Sequence, residues 1–179
     1  MSITQFMKRC GKMSTKDDIN QIYIDTSLLH EWFAGVMRGE KIESDPEIIR
    51  FLRENKELKK FISIFTIAEL VEDLLFHEKK IRGHMKKLEV IESLSRLLIQ
   101  ITGIEIIELE KRDEHKGIFI SPNVVKYTSI CGSVKDATHV CIAEHEDLWL
   151  VTHDNKIGKL KYLYKKITTD THLLKIFEK

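Results

Sequence analysis

The chain has 179 residues, 42% of them hydrophobic and 32% charged, a composition that fits a soluble globular protein and excludes a disordered or fibrous one. Its net charge of +1 excludes a globally basic protein, so a nucleic-acid partner has to be met by a local patch. No apolar stretch approaches the ~18 residues that span a bilayer, and the N-terminal sequence lacks the ~7-residue apolar core of a signal peptide, which predicts a cytoplasmic protein with no membrane partner. Cys10, Cys131 and Cys141 are odd in number and form no CxxC pair, which argues against a disulfide framework and against a zinc knuckle.

Residues 1–20 read as a polar leader without periodicity, a candidate for disorder, and residues 21–179 as one domain. Gln21 to Ile24 is a short apolar run of strand character. Ser27 to Met37 follows as a helix, with apolar residues at 28, 29, 32, 33, 36 and 37 on one stripe. Asp45-Pro46 predicts a helix start with Asp as N-cap and Pro at the first helical position, the helix running to about Leu58. Phe61 to Phe65 reads as a strand and Thr66 to about Lys80 as a helix, whose Ile67, Leu70, Val71, Leu74 and Leu75 again share a stripe.

A further helix is expected over His84 to Leu98 and a strand over Ile104 to Leu109. Lys111 to Cys131, broken by Gly117 and Pro122, reads as irregular. Val134 to about Glu146 is predicted helical, Leu148 to Thr152 a strand, Ile167 to Thr169 a last short strand, and Thr171 to Phe177 a closing helix. Strands alternating with helices in this order predict right-handed crossovers and an α/β fold with a mostly parallel sheet.

Four acids stand out along this string. Asp25, Glu69, Asp136 and Asp154 each sit where a strand gives way to a helix, or in the first turn of that helix, and a doubly wound sheet gathers its ligands at the carboxyl ends of its strands. Carboxylates converging there repel unless something positive lies between them, and a divalent metal ion is the economical choice. Simpler roles compete. Thr66-Ile67-Ala68-Glu69 fits a capping box, and Ser133-Val134-Lys135-Asp136 is a related pattern. Asp25 and Asp154 are harder to explain as caps, because each directly follows a strand that reads as buried, where a lone carboxylate is costly. His139, Cys141 and His145 fall two and six positions apart, on different helix faces, and so read as packing or surface residues rather than ligands.

These residues carry a family resemblance. Ile22-Tyr23-Ile24-Asp25-Thr26-Ser27, then Thr66-Ile67-Ala68-Glu69-Leu70, then Lys135-Asp136-Ala137-Thr138-His139, then Leu150-Val151-Thr152-His153-Asp154 resemble, in order, the motifs of PIN-domain nucleases, including the VapC-type toxins of toxin–antitoxin pairs. The resemblance implies an α/β/α sandwich around a central parallel sheet. It also implies metal-dependent endonucleolytic cleavage of RNA, by a toxin held by a small antitoxin protein or by an RNA-processing enzyme. A binding scaffold within an RNA-decay assembly is the alternative, and a homodimer is the favoured oligomer.

By position, Asp25, Glu69, Asp136 and Asp154 would be both the catalytic and the metal-binding residues for Mg²⁺ or Mn²⁺. Thr152 would support the Asp154 carboxylate, and Thr26 and Ser27 would hydrogen-bond in the first strand's turn. Carboxylate oxygens are the hard ligands that Mg²⁺ prefers. Many relatives carry a further acid shortly after the last Asp, where this chain reads Asn155-Lys156-Ile157. Lys156, Lys159 and Lys161, with Lys165 and Lys166 after them, are candidates for RNA phosphate contacts. Lys79, Lys80, Arg82, Lys86 and Lys87 form a second basic cluster. Trp32 and Phe33 could stack a base but fall within a helical stripe and read as core.

Overall fold

In the computed structural model the described residues are 19–37, 45–77, 96, 103–107 and 122–178. Among them five strands form one sheet: β1 (Gln21–Ile24), β2 (Lys59–Ser63), β3 (Ile104–Ile107), β4 (Trp149–Val151) and β5 (Ile167–Thr168). Their order is β3-β2-β1-β4-β5 and each pairing is parallel. The expected α/β architecture is therefore present, and the sheet is parallel throughout. The chain leaves β1 for β2 on one side and later returns to β4 on the other. The topological switch therefore falls at β1, with β4 beside it, where such sheets place ligands.

Seven α-helices accompany these strands among the described residues: α1 (Thr26–Met37), α2 (Glu47–Glu54), α3 (Ile64–His77), α4 (Pro122–Cys131), α5 (Val134–His145), α6 (Asn155–Gly158) and α7 (Asp170–Phe177), with a 3₁₀ turn at Lys159–Tyr162. The strand pleat divides the core between two layers. Ile22 and Ile24 of β1, Ile62 of β2 and Val151 of β4 pack with Leu29, Phe33, Ile49, Leu70 and Leu173. Tyr23 and Leu150 face the other way, among Tyr127, Val140, Ala143 and Ile157. Trp32 and Phe33 belong to the first layer, 3% and 0% exposed, as their stripe suggested.

Several elements differ from the sequence reading for identifiable reasons. Strand β2 begins two residues earlier than expected because Lys59 and Lys60 pair with Gln21 and Ile22; a buried lysine in mid-sheet reads as polar in a hydropathy pattern although its methylene stem packs like an aliphatic chain. Helix α3 consequently starts at Ile64 rather than Thr66.

Helix α2 ends at Glu54, not Leu58, where the Asn55 side chain and backbone amide both donate to the Phe51 carbonyl. Asp45 does not cap this helix; it is buried and accepts hydrogen bonds from Trp32 Nε1, at 3.0 Å, and from Arg53, tying α1 to α2.

Part of the segment expected to be irregular is helical. Pro122 opens α4 and Gly132 stops it, with φ +79° and its amide donating to the Thr128 carbonyl at 2.8 Å. Pro at the start and a left-handed Gly just past the end are ordinary helix punctuation. Closer to the C-terminus, Thr169 caps α7 by accepting from the His172 amide, so that helix begins at Asp170. The leader up to residue 18, the helix expected at 84–98 and the basic cluster at 79–87 lie outside the described residues, apart from Arg96, which is helical.

Gly132 supplies a stability test. A Cβ there meets no neighbour within 4 Å, so Gly132→Ala carries backbone strain alone. The variant should lose about 1–2 kcal/mol, seen as a melting temperature about 2–8 °C lower, at roughly 2–4 °C per kcal/mol for a chain this size.

Candidate active site at the carboxyl edge of the sheet

Asp25 follows the last residue of β1 and is 4% exposed. Its amide donates to the Val151 carbonyl at 3.0 Å, adding a rung to the β1–β4 ladder. Its Oδ2 accepts from Ser27 Oγ at 2.6 Å and from Thr152 Oγ1 at 2.7 Å. Hydrogen bonds to a charged group stabilise by ~1.5–3 kcal/mol each, against a desolvation cost of several kcal/mol per buried ion. Two hydroxyls on one oxygen therefore offset a burial cost of similar size, and leave Oδ1 facing His139 Nε2 at 3.9 Å.

Thr152 holds Asp25 rather than the Asp154 carboxylate expected from the sequence. What it offers Asp154 is an acceptor for the backbone amide, at 2.9 Å. The Asp154 carboxylate turns to its own helix instead, where Oδ1 accepts from the Lys156 amide at 2.6 Å and caps α6. Asp154, harder to explain as a cap from the sequence, does play that role, because the chain turns straight from β4 into a helix whose amides need an acceptor.

Glu69 shows the reverse. With α3 starting at Ile64, Glu69 lies in the second turn, beyond capping reach, and Thr66 directs its hydroxyl at Tyr23, 3.3 Å away. The Glu69 carboxylate crosses to other elements: Oε2 accepts from Thr26 Oγ1 at 2.5 Å and lies 2.8 Å from His139 Nε2. The Ser133 cap of α5 is present as expected, its Oγ accepting from the Asp136 amide at 3.2 Å. Thr26 and Ser27 do hydrogen-bond at the turn, each to an acid.

All four acids line one cavity of about 470 Å³, with Ser27 and Lys135 also on its wall. Sequence reasoning missed His139. It is 2% exposed and lies 3.9 Å from Asp25 Oδ1, and its Nδ1 is 2.8 Å from the Tyr23 hydroxyl. The signal was present: His139 follows Asp136 by three residues, which shares a helix face, whereas the comparison with Cys141 and His145 looked along the wrong faces. Those two behave as expected, Cys141 buried in the core and His145 exposed beside Glu146.

The acids are not electrostatically alike. Burial pushes the Asp136 carboxyl above its ordinary range; the Ser133 hydrogen bond opposes this, and the charges of Asp154 and Asp25 add to it. Burial pushes Glu69 the same way, but hydrogen bonds from His139 and Thr26 and the nearby positive charges bring its carboxyl below the ordinary value. His139 is correspondingly raised: burial alone would lower it, and the Glu69 hydrogen bond with the fields of Asp25 and Asp136 more than reverses that.

An oxygen-only donor set suits a hard divalent cation. Among the described residues no three His, Cys, Asp or Glu side chains are gathered so as to hold a metal by themselves. The fit is therefore to an ion that keeps several waters and takes few protein ligands, as Mg²⁺ does.

Outside the cavity, Lys156, Lys159, Lys161 and Lys165 are exposed close after Asp154 in the chain. Lys166 is engaged, its Nζ 2.6 Å from Asp147 Oδ1. No helix among the described residues is long and apolar enough to cross a membrane.

Compared with known families, the sequence matches the PIN domain over residues 22–162. Among solved structures, the crystal structure of PAE2754 from Pyrobaculum aerophilum is similar, with a TM-score of 0.50 at 18% sequence identity, covering 89% of this chain and 96% of that one. The likeness is one of fold. No curated protein matches the sequence.

The opposite shifts of Asp136 and Glu69 give opposite stability effects. A carboxyl raised in the folded state weakens the fold when ionised, so Asp136→Asn should raise the melting temperature in EDTA at neutral pH. A lowered one stabilises the fold above its unfolded pKa and loses that contribution as pH falls through its folded value. Glu69→Gln should therefore melt earlier than the parent at pH 7, by about 2–4 °C for each kcal/mol lost. Both differences should fade as the pH drops below the carboxylate range. Thermal melts in EDTA across pH 3–8 check the pair; the same sign for both variants would contradict this electrostatic account.

Proposed function

The chain belongs to the PIN-domain family, whose members have a nuclease-type fold and are generally metal-dependent, and from that premise we propose that it is a divalent-metal-dependent endoribonuclease. The observation that carries this reading is the convergence of Asp25, Glu69, Asp136 and Asp154 on one cavity at the topological switch of the sheet. The charges of Asp25 and Asp154 add there to the burial that raises the Asp136 carboxyl. A structural explanation accounts for one Asp154 oxygen, for the Ser133 cap and for one Asp25 oxygen, but not for the convergence of all four carboxylates on one cavity.

In the proposed mechanism Mg²⁺ or Mn²⁺ would be held through a few of the oxygens that Asp25, Glu69, Asp136 and Asp154 present, with water filling the rest of its shell, and would supply an activated water and neutralise charge on the phosphodiester. The protein's own part is orientation. Ser27 and Thr152 fix one Asp25 oxygen, and with it the direction in which the other is presented. Thr26 does the same for Glu69. Capping α6 commits one oxygen of Asp154 and leaves its second for the cavity. Lys156, Lys159 and Lys161 draw the RNA backbone toward that edge through its phosphates, a contact that weakens with salt.

Cleavage of a labelled RNA in Mn²⁺ tests the reading. EDTA should abolish it, and Asp25→Asn or Asp136→Asn should slow it by ~100-fold or more, the ~3 kcal/mol expected from loss of metal-assisted stabilisation. Undiminished cleavage by either folded variant would remove the mechanism. Cleavage of a DNA strand of the same sequence as fast as RNA would remove the substrate assignment. Expression in a bacterial host separates two roles: growth arrest that Asp25→Asn relieves marks a toxin, and normal growth marks RNA processing.

A further inference from the structure

Behind the acids lies a buried polar chain that the mechanism above does not use. Ser63 Oγ is 2.7 Å from the Tyr23 hydroxyl, which is 2.8 Å from His139 Nδ1; His139 Nε2 is 2.8 Å from Glu69 Oε2. Ser63, Tyr23 and His139 are 0%, 0% and 2% exposed. The chain draws on β2, β1, α5 and α3, and Thr26 of α1 joins it at the same Glu69 oxygen. Three polar groups in such a position are costly unless each is matched, and here each is matched in series toward one carboxylate.

The direction of the last link is fixed by chemistry. An ionised carboxylate oxygen only accepts, so the hydrogen lies on His139 Nε2 whatever the charge of the ring. With Nδ1 tied to Tyr23, the ring cannot rotate away without breaking a buried hydrogen bond at its other end. Glu69 hangs from a helix by a long side chain, and an unrestrained glutamate would sample several rotamers. Two donors converging on Oε2 leave it one orientation, with Oε1 as the oxygen free of them.

On the metal-nuclease reading given above, we propose that His139 is a positioning residue for Glu69: its Nε2–H, backed by Tyr23 and Ser63 and joined by Thr26, pins one glutamate oxygen so that the other is presented to the divalent cation. Partners of this kind orient the ligand they touch, and their loss typically costs about 10–100-fold in metal affinity.

The competing account is that His139 merely fills a polar gap in the core. The two differ in what happens when Glu69 can no longer serve as a ligand. His139→Asn puts an amide near the place of Nδ1, keeps a partner for Tyr23 and cannot reach Glu69. His139→Gln keeps a donor near the place of Nε2. Mn²⁺ affinity by titration calorimetry, with circular dichroism to verify the fold, is the readout.

The parent should bind Mn²⁺, His139→Asn should bind about 10–100-fold more weakly, and His139→Gln should recover most of that loss. In a Glu69→Gln background His139→Asn should cost several-fold less than in the parent, because the histidine acts mainly through the Glu69 carboxylate. Equal losses in the two backgrounds, or no loss from His139→Asn while Glu69→Gln weakens binding, would overturn the proposal and leave the nuclease reading intact. A parent that takes up no Mn²⁺ would instead overturn the metal-nuclease reading and this inference with it. If His139→Asn does not fold, His139→Leu, which fills the space with apolar atoms, enters the same cycle with the same expected and overturning results.

Discussion

The molecule is organised around the pairing of β1 with β4, and in particular around the bond from Thr152 to Asp25 that closes it. That hydroxyl joins the ends of two neighbouring parallel strands through a side chain and also receives the Asp154 amide. It therefore sets both the orientation of the buried acid and the place where the loop into α6 departs. Ser27 adds a parallel tie, donating to Asp25 while accepting from the His153 amide at 3.2 Å. The carboxylate at the centre of these bonds has one oxygen held by two hydroxyls and the other turned toward His139.

The four acids divide their labour between fold and cavity unequally. Asp154 caps a short helix with one oxygen, and Glu69 is drawn below its ordinary range by its donors. Asp136 shows the cost of the arrangement, since its charge is opposed by burial and by its acidic neighbours. Functional sites concentrate groups with such displaced affinities because the same crowding that weakens the empty fold favours the ligand.

Much of this was legible before any coordinates. The alternation of short apolar runs with single-stripe helices specified the α/β class, and the four acids at strand ends pointed to one edge of one sheet. What stayed hidden was hidden by competing chemistry. Lys59 and Lys60 disguised the start of β2, which shifted α3 and made Glu69 look like a capping residue. Pro122 and Gly132 read as breakers when they were the two ends of a helix. Asp45 carried the signature of a cap but was claimed by Trp32 of α1 and by Arg53 near the far end of α2, contacts that no local pattern contains. His139 escaped because the faces compared were those of a histidine–cysteine cluster and not the face it shares with Asp136.

The alternation of β1 has a consequence for how such a chain can vary. Ile22 and Ile24 enter one layer, Tyr23 enters the other, and Asp25 stands at the end, all within four consecutive positions. Losing or gaining a single residue in this strand would exchange the faces, sending the tyrosine hydroxyl into the aliphatic layer and an isoleucine against the imidazole. Substitution at these positions is graded, but a change of length is all or nothing. The site thus depends on a count as much as on the identity of its acids.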